Sequence, residues 1–210
     1  MKGLLLKEFF MLKKNSIGFL LFIAVFLIGG FKGNPAVLFM LPLYMAILLY
    51  GHMNFDEQCK WQQYSMAMPY GRKMIVSSKY VAMAIAAVVS SIVVTIFYGV
   101  GIAIGATGFS SSSIVSSIIL SLAIGIIYPT FILPLAYKFN SEKGRTIMLF
   151  LNGASGAIAV FLLSAIDGTG ILAKLSNYTN ILPYIAIAAV LVLFALSWLI
   201  SVKIYEKRDL

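Results

Sequence analysis

Long stretches without Asp, Glu, Lys or Arg alternate with short basic ones along this chain. A helix crosses the hydrocarbon core of a bilayer with about 20 residues. By that measure Asn15–Phe31 and Gly33–Phe55 predict the first two spans, with Pro35 near the start of the second, where its missing N–H costs nothing. Tyr80 to Tyr137 is too long for one helix and breaks at the turn-forming cluster Gly105–Ser113, giving spans of about Tyr80–Thr107 and Ile114–Tyr137. Thr146–Ile166 predicts a fifth span and Ile181–Val202 a sixth. Pro129 and Pro134 inside the fourth favour kinks.

The segment before the first span reads differently. On a helical wheel over residues 1–14, Leu5, Leu6, Phe9, Phe10 and Leu12 share one broad arc, and Lys7 and Lys14 lie together on the far side. Lys2 and Lys13 sit where they can snorkel from the ends. This predicts an interfacial helix; the other reading is an irregular start to the first span. A signal peptide is not expected, because no small-residue cleavage pattern follows and five more spans do.

Composition agrees with a lipid solvent. The chain has 210 residues, of which 61% are hydrophobic and 11% charged, against about 25% charged in an ordinary soluble domain. Too little polar surface remains to cover a water-soluble globule. The net charge of +9 is a topology signal, because fourteen of the sixteen basic residues fall on one face of the six-span layout. Only Lys32 and Lys174 fall on the other. Basic residues gather on cytoplasmic loops, so both termini are expected in the cytoplasm of a multi-pass plasma-membrane protein, and nucleic acid is not an expected partner. The fold class is all-α integral membrane, a single transmembrane domain over 1–210 with six spans.

The chemistry is thin. A single Cys59 and a single His52 give no disulfide framework and no metal cage. No predicted span carries an acid or a basic residue in its interior, which disfavours a secondary carrier coupled to an ion. There is no GxSxG, no HExxH and no phosphate-binding GxxxxGK[ST]. Any energy from ATP must therefore come from a partner, and no cofactor is expected in this chain.

The segment between spans two and three is the most informative. Asn54 suits a helix cap, Asp56 and Glu57 fall in a first turn, and Pro69 ends the run, predicting a helix over 54–68. Phe55, Cys59 and Met66 form one apolar stripe and Trp61, Tyr64 and Met68 another, with Asp56, Lys60 and Gln63 between them. Two stripes suit a helix held between its own bundle and a partner; a helix lying in the lipid interface also uses Trp and Tyr.

The run Asp56-Glu57, Trp61, Tyr64, Met68-Pro69-Tyr70-Gly71-Arg72, then Val76-Ser77-Ser78-Lys79-Tyr80, resembles the permease subunits of ABC-2-type transporters. In particular it is similar to the small six-span bacterial branch that exports phenol-soluble modulins and related antimicrobial peptides. The resemblance implies that 54–68 is a coupling helix docked on a separate ATP-binding subunit. Asp56, Glu57 and Lys60 would belong to the docking face, with Trp61 and Tyr64 as buried anchors and Met68 and Pro69 at the turn. Arg72, Lys73 and Lys79 would hold phosphates of the inner leaflet, or serve only as topology signals. It further implies two permeases, identical or homologous, with spans one and five near their seam. Asn152, Gly153, Gly156 and Ala157 offer small residues there, unless they pack within one protomer. The complex would take two ATPase copies carrying ATP and Mg, and an amphipathic peptide or lipid-like cargo. A membrane immunity or structural protein acting without ATP is the alternative.

Overall fold

The computed structural model describes residues 2–14, 16–32, 35–66, 71–106, 109, 114–138 and 182–207. Every regular element among them is helical. In chain order they are α1 (Lys2–Lys14), α2 (Ser16–Lys32), a 3-10 turn (Pro35–Phe39), α3 (Met40–Gln58), α4 (Trp61–Met66), α5 (Arg72–Ile104), α6 (Ile114–Lys138) and α7 (Leu182–Glu206).

Among the described residues, four helical stretches are long and apolar enough to cross a membrane: Val37–Gln58, Arg72–Ile104, Ser117–Lys138 and Ile187–Glu206. They stand where spans two, three, four and six are expected. Helix α2 occupies the expected first span, with a shorter apolar stretch, Leu21–Gly30. The expected span Thr146–Ile166 lies outside the described residues.

Helix ends differ from hydropathy boundaries. Helix α5 begins at Arg72, eight residues before the uncharged stretch, and runs for 33 residues. At 1.5 Å per residue it is about 50 Å long, against about 30 Å of hydrocarbon. The basic first turns therefore stand outside the apolar layer. Its other end is set by Gly105, whose φ of +70° is the left-handed region that lets the last carbonyls be capped. The chain resumes as helix at Ile114, so the break expected over 105–113 is present.

Helix α6 packs on α5 and α7, and α3 lies against α5 and α6. At the basic end the shared core includes Met53, Val76, Tyr80, Leu133, Tyr137 and Tyr205. At the opposite end Leu38, Leu41 and Val94 pack with Phe26, Phe97 and Phe109. Outward-facing positions are apolar too, among them Ile92, Ile96, Leu191, Val192 and Ile200, as lipid-facing positions must be.

Two features of α6 follow from its sequence. Pro134 cannot donate to the Thr130 carbonyl, which would be orphaned. The Ser197 hydroxyl of α7 donates to that carbonyl at 2.6 Å. Tyr80 of α5 then lies 2.7 Å from both Ser197 and Ser201, so a single hydroxyl chain links Ser201, Tyr80, Ser197 and Thr130 across three helices. Several buried serine and threonine hydroxyls bond their own helix, as Ser90 does to Ala87, Ser91 to Val88 and Thr130 to Ile126. Gly125 is the second feature: a Cβ there would meet Ala87 Cβ at 3.0 Å and Pro42 Cβ at 3.2 Å. It lets three helices close together.

Gly101 similarly faces the Phe109 ring, 2.6 Å from where its Cβ would sit. That assigns it to packing within the chain.

Gly125→Leu is expected to overpack this crossing and lower stability by about 1–3 kcal/mol, read as an earlier thermal unfolding transition in detergent. Gly99→Ala, where a Cβ meets nothing within 4 Å, should be tolerated.

Candidate functional site

At the basic end, α1, α3 and α5 converge on a buried cluster of ionisable side chains. Glu8, His52, Asp56 and Lys79 are all buried. Lys79 pairs with Glu8 and, at 2.6 Å, with Asp56 Oδ2. Lys7 pairs with the other oxygen of Asp56. His52 Nδ1 lies 3.3 Å from Glu8 Oε2. An ionised carboxylate only accepts, so His52 carries its proton on Nδ1. Lys7 also stands 4.2 Å over the Trp61 ring, a cation–π contact.

Each participant is placed by local sequence. His52 and Asp56 are four residues apart on α3 and share a face. Lys7 and Glu8 are adjacent on α1, whose Leu4 is buried while Leu6, Phe9 and Phe10 are exposed. Lys79 sits at the end of the second turn of α5, below the uncharged stretch. Two ammonium groups meet two carboxylates, so the lysine and carboxylate charges of the cluster balance. Burial alone would push the Glu8 carboxyl up; the His52 hydrogen bond and the Lys79 charge outweigh it and hold it down at about 2. Burial, with the like charge of Lys79, pulls the Lys7 ammonium down from its ordinary value despite Asp56.

The cluster changes several expectations. Asp56 turns inward and is held by two lysines, so it does not face a partner. Lys79 is buried between carboxylates and does not reach lipid phosphate. Lys7 points into the protein, not away from it. The expected continuous helix over 54–68 is instead two: α3 runs to Gln58, the Cys59 N–H bonds the Phe55 carbonyl, and α4 begins at Trp61. Lys60 links them at φ +52°, a left-handed conformation that costs a non-glycine residue roughly 1 kcal/mol. Cys59, from one of the two apolar stripes, is exposed at this turn.

The remaining site residues fall as follows. Glu57 is half-buried and Lys60 exposed. Trp61 is half-buried, its ring 5.7 Å from that of Tyr64, and Tyr64 and Phe55 are exposed. Arg72 donates to the Glu206 carbonyl at 2.7 Å, and the Lys73 ammonium lies 5.4 Å over Trp198. Met68, Pro69, Asn152, Gly153, Gly156 and Ala157 lie outside the described residues. Glu8 was not singled out by motif reading. Its signal is that it is the first acid in the chain and none follows before Asp56. Among the described residues no group of three acids, histidines or cysteines could hold a metal.

Removing one partner of a buried pair strands the other charge. Lys79→Met is expected to cost about 3–5 kcal/mol, and adding Glu8→Gln to it should restore part of the loss in detergent unfolding. The Glu8 carboxyl has a depressed value in the fold, so its contribution is complete above its ordinary 4.5 and disappears as pH falls from there toward about 2. Glu8→Gln should flatten that acid limb of the unfolding profile.

No curated protein and no solved structure matches the chain. A sequence-family model described as ABC-2 family transporter protein matches residues 3–206, nearly the whole length. That match covers α1, the paired turn at Cys59-Lys60 and every described helix. With apolar helices long enough to span a bilayer and a balanced ionic cluster at their basic end, the chain belongs to the ABC-2 family of transporter proteins.

Proposed function

We propose that this chain is the permease of an exporter driven by a separate ATPase, which docks at the turn joining α3 to α4. The observation that carries the reading is the makeup of that turn. Phe55 and Tyr64 are exposed aromatics and Lys60 is an exposed cation. Aromatic side chains dominate binding energy at protein interfaces. The turn is joined directly to the spans, because Asp56 and Trp61 on either side of it are tied to α1 and α5 through Lys7 and Lys79. Movement of a docked subunit would reach three helices at once.

In this reading two permeases and two ATPases form the complex, with ATP and Mg on the ATPase. Tyr64 is the outward anchor. Trp61 supports it from behind, stacked on Lys7. Glu57 contributes from the flank, and Met68 and Pro69 shape the return. Arg72 and Lys73 remain candidates for inner-leaflet phosphate, and Asn152, Gly153, Gly156 and Ala157 for the seam. Helix α1 would lie at the inner interface with Phe10 toward lipid. The cargo is an amphipathic peptide or lipid-like molecule moved outward. Its support is the lack of any charged residue from Tyr80 to Tyr137; an apolar pathway does not suit a small hydrophilic ion.

Tyr64→Ala should cut retention of the ATPase on co-purification by about tenfold or more, leaving membrane insertion and thermal unfolding unchanged. Undiminished retention would remove the docking assignment.

A further inference from the structure

Along α1, where it crosses α3 and α5, runs an open apolar groove of ≈ 780 Å³, several of whose wall residues, Phe9 and Ile85 among them, are exposed. Leu5 and Phe9 of α1, Met45 and Leu48 of α3, and Ile85 and Val89 of α5 form its walls. Ligand sites run from about 300 to 1,000 Å³, so this chamber, open on one side, is of ligand size. It reaches from His52 to Met45 along one helix and from Ala82 to Val89 along the other, about 10 Å in each case. Both stretches belong to candidate membrane spans.

Its polar groups are few and unequal. Glu8 and His52 close the basic end but are committed to each other and to Lys79. Lys13 stands on the rim, is exposed, and pairs with no carboxylate among the described residues. An extended peptide would bring backbone N–H and C=O groups that these walls cannot satisfy. A hydrocarbon tail needs no such partners, and a single cation at the mouth complements a single anion.

We infer that the chamber holds one acyl chain of an anionic phospholipid from the leaflet at the basic end, with the lipid phosphate at Lys13. The occupant fills the space between α1 and the spans and so seats α1 over the ionic cluster. Nothing in this assignment depends on the ATPase, so it stands or falls apart from the docking turn.

The test uses the full chain purified in detergent and titrated with phosphatidylglycerol or phosphatidylcholine, bound lipid being counted by native mass spectrometry. Wild-type protein should retain one phosphatidylglycerol per chain in preference to phosphatidylcholine. Ala82→Phe, which fills the chamber, should abolish retention. Lys13→Gln changes an exposed position and leaves the core untouched; it should weaken phosphatidylglycerol about fivefold and erase the preference. Equal retention of both lipids by wild-type protein would overturn the inference. So would unchanged phosphatidylglycerol binding in Lys13→Gln, or displacement of the lipid by an equimolar cationic amphipathic peptide.

Discussion

The Lys79 ammonium, shut away between Glu8 and Asp56, is the constraint around which the basic end of this bundle is organised. A buried ion pair recovers its desolvation cost only when geometry is good and the remaining donors and acceptors are met. Here the second oxygen of each carboxylate is met as well, by Lys7 on Asp56 and His52 on Glu8. The three helices therefore cannot slide past one another without stranding a charge. Such a cluster adds less to net stability than to register: it specifies which turn of α1 faces which turn of α3 and α5.

The geometry of the neighbouring loop follows from that register. Once Asp56 is drawn inward, its helix cannot also present it to solvent, and the chain leaves α3 two residues later. Lys60 then takes up a left-handed conformation so that Trp61 can return over Lys7. The exposed face of the loop is left to Phe55, Lys60 and Tyr64. A second layer, deeper in the bundle, rests on hydroxyls instead of charges: Ser197 meets the carbonyl that Pro134 abandons and hands the chain on to Tyr80. Hydroxyl bonds suit that depth, where a stranded charge would cost far more.

Much of this was legible from residue order, and the rest was not for identifiable reasons. Uncharged length located α3, α5, α6 and α7 because hydrocarbon tolerates little else, and the glycine and serine run at 105–113 separated α5 from α6. The start of α5 was missed by eight residues because hydropathy marks the lipid boundary, whereas a helix continues through water on its own hydrogen bonds. The division between α3 and α4 was missed because no glycine or proline stands at Cys59-Lys60; the break is imposed by contacts with α1, which is 49 residues away along the chain at Lys7 and Asp56. The i, i+4 spacing of His52 and Asp56 was readable, but its meaning depends on Glu8 and Lys79, and no periodicity within one segment reveals a partner in another.

One contrast between neighbouring helices bears on how the bundle deforms. Helix α5 runs from Arg72 to Ile104 with no proline, while α6 beside it contains Pro129 and Pro134 and so lacks two rungs of its hydrogen-bond ladder. Under a sideways load the stiffer strut keeps its shape and the softer one yields. Bending at the middle of the membrane therefore concentrates in α6, next to the Ser197 contact, while α5 carries displacement from its basic end through to Gly105 almost undiminished.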